Sequence, residues 1–393
     1  MENVPMFGGA PHLQGLLCPV DYKPIVPKYW MGGKNCVDTD KWVVDGSKFD
    51  FSKIIIENPD KPGTYTLDRN HAEFEALHEV CSGMYYPRGF YHVTNTGLTD
   101  PKKITALLEI IYPVATKYDG GSNFRTNVAE NVYDTGAPLV ADLHYHHEMA
   151  YVANSIKYIQ FPCLQAPTKG TCGATYVSHN TPAHNYFMNT EVGQKAKEKG
   201  ICYVRKLPDL DFYKKQQADP RAVYNFWQTS FHTDDADEAA ERARETGLEV
   251  EWQDSKLYGR YMVTKFYTSA FEYDPWNDAN MLYGAIADSH EWFDSWPGVK
   301  ELCPEERPLA LWFGDDEPTT REERQQWCDA YDFGGNKIDW KTGDVALICN
   351  YRTAHGRPAI HLKPGEERNL GVRLGETYRR QGAIEGKWKT VTE

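Results

Sequence analysis

The stretch LHYHHEMAY at positions 143–151 is the densest group of metal-binding residue types in the chain. If it forms a strand, side chains two positions apart project from the same face, so His146 and Glu148 would point together and His147 to the other face. Two imidazoles and one carboxylate are the facial ligand set of non-haem iron(II) oxygenases, which leaves three coordination positions open for a chelating cosubstrate and O₂. The stretch supplies two of these three ligands.

A second histidine is expected from a distant strand. The apolar run VALIC at positions 345–349 predicts a buried strand, and YRTAHGR at positions 351–357 follows it directly. This segment makes His355 the candidate for the third ligand.

Other interpretations of the same residues compete with iron. His144 has the same strand parity as His146, so His144, His146 and His355 could form the site of a zinc-dependent hydrolase. Hydrolases of the metallo-β-lactamase kind would want an acid followed at once by another histidine, whereas Met149 follows Glu148. A cupin would want its glutamate several residues further on. A binding protein with a vestigial metal site on the same fold is a third alternative.

Composition narrows the class of protein. The 393 residues are 41% hydrophobic and 13% aromatic, which favours a large β-rich core, and the formal charge of −13 argues against nucleic acid as a partner. No apolar run approaches the length of a membrane span, and the first residues lack the pattern of a secretory signal. Nine cysteines without a Cys-x-x-Cys pair indicate free thiols, so a cytoplasmic location is expected.

The pattern along the chain predicts one domain of 393 residues. We expect an N-terminal arm (1–69), a first part of the core with the metal strand (70–185), an insertion that could act as a lid (186–306), and a second part of the core (307–393). Helices are predicted over 70–82 with Gly83 as the stop, from Asp100-Pro101, and over 234–246 before Gly247. Thr320-x-x-Glu323 predicts a capping box.

Four separated blocks, in the same order along the chain, resemble the oxygenases related to taurine dioxygenase and clavaminate synthase. The blocks are RGFYHV (88–93), LHYHHEMAY (143–151), FPC with the following Pro167 and GTCGAT (170–175), and WKTGD (340–344) leading to HGR (355–357) and RNL (368–370). Each block is short, but together they span most of the chain.

The resemblance implies a mainly β fold with flanking helices, built on a double-stranded β-helix (jelly roll) core with a long helix-containing insertion. It also implies Fe(II), 2-oxoglutarate and O₂, with His146, Glu148 and His355 as metal ligands. Thr175 would hydrogen-bond the distal carboxylate of 2-oxoglutarate, and an arginine after the distal histidine would pair with that carboxylate.

Two arginines are candidates for that pairing, and this sequence departs from the family there. Arg368 and Arg373 are five positions apart, whereas the family often spaces its pair by four. Either a bulge turns both side chains to the same face of the strand, or only one of them enters the pocket. Arg368 fits the RNL block (368–370) better. Arg373 would then contact an anionic substrate group or make a structural ion pair, and Arg357 is expected to be structural.

The resemblance also implies the reaction class. The expected reaction is hydroxylation of a small polar, amino-acid-derived metabolite of secondary metabolism, with release of succinate and CO₂, and desaturation or oxidative cyclisation stays open. The carboxylate of Glu148 disfavours halogenation, because halogenating relatives replace it with a small residue. Asn131, Tyr133 and Tyr145 are candidate substrate contacts, each weighed against a structural role. Oligomeric state stays open.

Overall fold

Two β-sheets that share one hydrophobic layer form the centre of the computed structural model. The structure describes residues 25–28, 30, 42–115, 127–129, 132–135, 137–168, 171, 173–215, 225–286, 289–295 and 302–383. Strands predominate over helices among these residues, so the protein is mainly β with flanking helices, as the sequence predicts.

The regular elements of the described residues follow in chain order. The helices are α1 (Ala72–Arg88), α2 (Pro101–Ala106), α3 (Asn180–Phe187), α4 (Glu191–Lys199), α5 (Leu210–Lys215), α6 (Trp227–Phe231), α7 (Ala236–Glu245) and α8 (Arg321–Phe333). The strands are β1 (Val43–Asp45), β2 (Ile55–Glu57), β3 (Tyr65–Leu67), β4 (Phe90–Thr94), β5 (Asn127–Ala129), β6 (Val132–Asp134), β7 (Leu143–His146), β8 (Asn154–Gln165), β9 (Thr175–His179), β10 (Ile201–Leu207), β11 (Glu249–Ser255), β12 (Gly259–Thr268), β13 (Phe271–Asp274), β14 (Ala279–Leu282), β15 (Leu309–Phe313), β16 (Gly335–Ile338), β17 (Val345–Cys349), β18 (Thr353–Arg357) and β19 (Asn369–Arg379).

The central layer lies between a larger and a smaller sheet. The larger sheet has the order β1-β4-β17-β8-β19-β6-β5, and the smaller has the order β16-β9-β18-β7. Buried side chains from both sheets, among them Phe161 on β8, Val177 on β9 and Val372 on β19, belong to one cluster. Alternate side chains of β17, Ala346 and Ile348, face this shared layer, whereas Val345 and Leu347 belong to the cluster on the other face of the sheet.

Helix α1 covers the outer face of the larger sheet and is longer than the sequence indicates. Its buried residues include Phe74, Leu77 and Cys81, which are the stripe that the sequence predicts. The predicted stop at Gly83 is wrong. The helix continues through Pro87 to Arg88 and ends at Gly89, whose φ of 82° is left-handed and suits glycine. Packing of Tyr85 in the core extends the helix past Gly83, whose propensity alone would favour an end.

The predicted helix caps are present. Asp100 accepts a hydrogen bond from the backbone of Lys102 at the start of α2. Thr320 and Glu323 form the reciprocal capping box of α8, and Gly247 follows α7 with a φ of 86°. Each of these signals is local, since the bonds join residues at most three positions apart.

The middle of the chain builds a sheet of its own. Strands β11-β12-β10-β15 pair antiparallel, and β13 and β14 form a separate hairpin. Strand β15 lies beyond the predicted insertion boundary at 306 but pairs with β10 over Leu309–Phe313. The division of the chain at 186 and 306 stays a prediction. No described helix combines the length and apolarity that crossing a membrane would require.

A buried ion pair joins the end of β19 to the β13 strand. Arg380 Nε lies 3.0 Å from Glu272 Oε1, and both side chains are 0% exposed. Arg380 also donates hydrogen bonds to the backbone oxygens of Ala150 and Ser269. Charged groups without water need such complete pairing, because an unpaired buried charge is strongly unfavourable.

Replacing Glu272 by glutamine is expected to lower the free energy of unfolding by roughly 3 to 5 kcal/mol, because Arg380 would remain buried without its counter-charge. Urea denaturation measures the change. The control is Glu376→Gln, which breaks the exposed pair between Lys157 and Glu376 and should cost less than about 1 kcal/mol. Equal losses in the two variants would contradict this account of the buried pair.

Candidate metal centre

The pairing of β7 with β18 brings the two predicted histidine ligands together. His146 and His355 are direct antiparallel partners, and their ring centroids lie 4.2 Å apart. One ligand atom each of His146, Glu148 and His355 lies within 4.8 Å of the other two, and all three residues are buried. Within the described ranges, this is the one group of three His, Cys, Asp or Glu side chains arranged to hold a metal ion.

Glu148 reaches the site from a turn, and the expectation that it lies on the strand is wrong. Strand β7 ends at His146, and residues 148–150 form a turn in which Met149 has a φ of 59°. A left-handed φ is uncommon for a residue with a side chain, so surrounding contacts must hold this conformation. The carboxylate therefore meets the imidazoles because of the shape of the turn.

A bulge in β7 separates His144 from the metal group. His355 pairs with His146, but Arg357 pairs with Leu143, so β7 has one residue more than β18 over this span. Such an extra residue changes which side chains face the same way. Leu143 and His146 both line the pocket, whereas the ring of His144 stacks on Trp30 at 5.7 Å. In a regular strand His144 and His146 would share a face, but the bulge separates them. The zinc arrangement of His144, His146 and His355 is therefore not formed.

Gly356 allows the two ligand strands to approach this closely. A Cβ atom at this position would lie 2.7 Å from Leu143 O and 2.9 Å from His144 C, both of which are backbone atoms. Backbone atoms in paired strands cannot move aside as a flexible side chain can. A residue without a side chain is therefore required between His355 and Arg357.

The tautomers of two histidines follow from their backbone partners. His146 Nδ1 lies 2.9 Å from His144 O, and a carbonyl only accepts, so this nitrogen is the N–H donor and Nε2 keeps its lone pair. His147 faces away from the site, with Nδ1 2.7 Å from Gly284 O and Nε2 accepting from Asn180. Burial lowers the pKa of His147 to about 3, which keeps the ring neutral. The neutral Nε2 of His146 suits a metal ligand.

Asn350 fixes the backbone of Glu148. Its Oδ1 accepts from Glu148 N at 2.7 Å, and its Nδ2 donates to Glu148 O at 3.0 Å and to Ile156 O at 2.7 Å. The residue directly follows β17 and is fully buried. The side chain amide thus ties the turn of Glu148 to the segment that leads into β18.

A pocket opens beside the metal group, between the two sheets. Thr175 begins β9 and accepts a hydrogen bond from Trp340 Nε1 at 2.9 Å, and Arg368 donates from Nε to Gly173 O at 3.1 Å. The pocket is lined by Thr135, Leu143, His146, Glu148, Ile159, Phe161, Thr175, His355, Gly356, Arg357, Arg368, Leu370 and Val372. Two arginines and two threonines thus border an otherwise mainly apolar cavity next to the three ligands.

The two candidate arginines lie on opposite faces. Arg368, Leu370 and Val372 line the pocket at every second position, whereas Arg373 is one position out of phase. Arg373 instead donates from Nη2 to Pro113 O at 2.6 Å, and burial lowers the pKa of its guanidinium. The expectation that Arg373 contributes to the cosubstrate pocket is therefore wrong: the register irregularity between Asn369 and Leu370 adds a residue to β8 and not to β19, so it does not turn Arg373 toward the pocket.

Arg357 lines the pocket but is occupied by backbone oxygens. Its Nη atoms donate to the carbonyls of residues 137–139, Ala141 and Pro358 at 2.8–3.3 Å. Burial, followed by the charge of Arg368, lowers the pKa of Arg357 to about 9. These contacts are those of the structural role that the sequence predicts. They hold the loop before β7 against β18.

The comparisons with known proteins identify the family. A family model described as "Taurine catabolism dioxygenase TauD, TfdA family" matches residues 60–374. The chain belongs to the TauD/TfdA family. As a member it is an enzyme, an Fe(II)- and 2-oxoglutarate-dependent oxygenase that uses O₂. The resemblance to taurine dioxygenase and clavaminate synthase is thereby confirmed.

Individual relatives of this TauD/TfdA family member are distant. A "Clavaminate synthase-like protein" of Arabidopsis thaliana is 25% identical over 242 residues, which cover 61% of this chain and 68% of the relative. A solved structure of a putative alpha-ketoglutarate-dependent taurine dioxygenase from Burkholderia xenovorans is 11% identical with a TM-score of 0.42, and it covers 81% of this chain and 88% of its own. PvcB from Pseudomonas aeruginosa is 11% identical with a TM-score of 0.42 and covers 84% and 94%. These structural similarities are too low to support an argument about function.

The donor set fits the metal of the TauD/TfdA family. Two imidazoles and one carboxylate, with no thiolate among them, are the facial triad of non-haem Fe(II) oxygenases. All three ligand residues also line the pocket. The residues present therefore suit Fe(II) with open positions.

The candidate substrate contacts lie elsewhere or outside the described residues. Asn131 lies outside them. The hydroxyl of Tyr145 contacts Asp332, and Tyr133 packs against the hydrophobic layer between the sheets, so neither lines the pocket. Sequence reasoning missed Asn350, and no local signal marks it, because its contact with Glu148 spans 202 positions.

Replacing Gly356 by alanine is expected to destabilise the protein by about 1 to 3 kcal/mol, because the new methyl group would push β18 away from β7. Denaturant titration measures this loss, and metal titration should show weaker binding. The control is Gly83→Ala in α1, where nothing lies within 4 Å and the helix should gain about 0.5 to 1 kcal/mol. A neutral Gly356→Ala variant would show that the close approach does not matter.

Proposed function

We propose that the protein is a dioxygenase in which His146, Glu148 and His355 bind Fe(II) and the adjacent pocket binds 2-oxoglutarate. The observation that carries this proposal is the convergence of the three ligand atoms within 4.8 Å, beside a pocket that contains an arginine. We further infer that the two sheets around this site form a double-stranded β-helix. The shared hydrophobic layer and the antiparallel pairing within both sheets support that inference.

Two residues of the pocket, Arg368 and Thr175, would bind 2-oxoglutarate. Arg368 offers a guanidinium, which matches a carboxylate in geometry and charge, and its bond to Gly173 fixes its position. Thr175 accepts from Trp340 through Oγ1, so its own hydroxyl proton can be donated to the same carboxylate. The proposed site thus pairs the distal end of the keto acid with Arg368 and Thr175.

The apolar wall has a separate part in the proposed reaction. Leu143, Phe161 and Val372 border the ligands and restrict water near them. When bound, iron with 2-oxoglutarate and O₂ supplies the oxidising power, and the keto acid leaves as succinate and CO₂. The protein would contribute orientation of the keto acid, a dry pocket and placement of the substrate.

Hydroxylation of a small polar, amino-acid-derived metabolite is the proposed reaction. The family resemblance supports this substrate class, and the carboxylate of Glu148 at the metal group argues against halogenation. Desaturation or oxidative cyclisation would begin from the same removal of a substrate hydrogen. A single domain, a lid formed by residues 186–306, a role in secondary metabolism and a cytoplasmic location are further parts of this proposal.

Alanine at position 146 or 355 is expected to abolish Fe(II) binding, and Glu148→Ala to weaken it, because each change removes one ligand of the triad. Iron content after anaerobic reconstitution measures this, as does the weak visible charge-transfer band that Fe(II) with 2-oxoglutarate should give. Succinate release with a panel of amino acids tests the reaction. The control is His144→Gln, which should retain iron. Loss of iron in that variant, or unchanged iron binding in His146→Ala or His355→Ala, would contradict the proposed triad.

Arg368→Lys is expected to raise the KM for 2-oxoglutarate by about 30-fold, because a charge-assisted bidentate pair is worth about 1.5–3 kcal/mol. Arg373→Lys is the matched control, since Arg373 lies on the opposite face of β19 and should leave this KM unchanged. Steady-state succinate formation measures both variants. A larger effect in the Arg373 variant would contradict the assignment.

A further inference from the structure

The middle of the chain borders the turn that carries Glu148. Strand β7 is the edge of the smaller sheet, and residues 283–286 run along it. Ile286 N donates to Tyr145 O at 3.0 Å, and His147 N donates to Gly284 O at 3.2 Å. Exposed edge strands are usually covered in this way. The segment that follows β14 therefore belongs to the surroundings of the metal group.

A chain of three hydroxyl groups ends on the backbone of Glu148. Ser155 donates to Glu148 O at 2.9 Å, so its oxygen accepts from Tyr283, which lies 2.8 Å away. Tyr378 in turn donates to the Tyr283 oxygen at 2.9 Å. Each hydroxyl donates once and accepts from the next, except for the outermost. Such chains strengthen each bond within them by polarisation.

The inner two hydroxyls of this chain, those of Ser155 and Tyr283, are shielded from water. Burial raises the pKa of Tyr283 to about 12 and that of Tyr378 above its usual value. Tyr283 and Ser155 are both fully buried. A lost hydroxyl in this chain would leave a buried polar group unsatisfied, because solvent does not reach it.

The ring of Tyr283 also contacts His147, at the start of the turn that carries Glu148, and Arg380, which binds the end of that turn. It stacks on the His147 ring with centroids 4.0 Å apart, and the Arg380 guanidinium lies 4.4 Å from its centroid. Arg380 donates to Ala150 O at 2.7 Å. Tyr283 thus contacts His147 directly at the start of the turn, and it is linked to Glu148 O through Ser155 and to Ala150 O through Arg380.

We propose that Tyr283 is a positioning residue for the carboxylate of Glu148, acting through Ser155. The segment 269–286 would then support the metal centre directly, and the lid proposed for residues 186–306 would be formed by the other parts of that range. The left-handed φ of Met149 makes external support necessary, because the turn is not favoured by its own backbone. The inference rests on the proposed function, since it assumes that Glu148 binds the metal.

Tyr283→Phe tests this inference, because it removes the hydroxyl and keeps the ring. We expect Co(II), used as an oxygen-stable probe, to bind about 10-fold more weakly, as typical for groups that orient a ligand. The visible d–d spectrum of bound Co(II) should also shift, which general destabilisation would not cause. The matched control is Tyr273→Phe on the same hairpin, whose hydroxyl bonds Asp278 at the surface and which should bind Co(II) normally.

A double variant tests the route through Ser155. If Tyr283 acts through that hydroxyl, Tyr283→Phe combined with Ser155→Ala should bind Co(II) no more weakly than Ser155→Ala alone. Additive losses, an unchanged Tyr283→Phe spectrum or an equal loss in Tyr273→Phe would overturn the inference. If wild type and His355→Ala bind Co(II) equally poorly, the proposed metal centre itself fails and the inference fails with it.

Discussion

The register between β7 and β18 is the constraint on which the site depends. It places His146 directly opposite His355, and the bulge between positions 143 and 146 turns Leu143 rather than His144 toward the pocket. Gly356 permits this register because a side chain there would collide with the backbone of β7. A shift of β7 by one residue would turn His146 to the face opposite His355, since strand side chains alternate. Strand pairing, more than any interaction between side chains, thus brings the two histidine ligands together.

The polar groups that are buried around the β7–β18 pair have lost water, and hydrogen bonds and an ion pair compensate for that loss. Arg357 is surrounded by carbonyls of the loop before β7, and Asn350 satisfies both polar atoms of the Glu148 peptide. Arg380 is neutralised by Glu272. Because an unsatisfied buried charge costs several kcal/mol, these residues make the site rigid and tie distant segments to it. Asn350 and Arg380 thus hold the turn that carries Glu148, and Arg357 holds the loop before β7.

Local signals explain what could be predicted along the chain. The capping box of α8 and the glycine after α7 joined residues a few positions apart, and both are present. Side-chain alternation along a strand accounts for the different facing of Arg368 and Arg373, although β19 and β8 pair irregularly between Asn369 and Leu370. The same reasoning failed at His144, where a bulge interrupts the period, and at Glu148, which lies in a turn. Neither irregularity has a sequence signature that distinguishes it from a continued strand.

The sequence by itself determined the residue types of the metal group, their family and the mainly β class, because these depend on composition, short motifs and their order. Tertiary structure alone decided which face each side chain occupies and which residues support it. The contact of Asn350 with Glu148 spans 202 positions, and that of Arg380 with Ala150 spans 230. The contact of Tyr283 with Ser155 spans 128 positions. Contacts over such separations leave no local pattern, since they arise from how the sheets and the middle segment pack together.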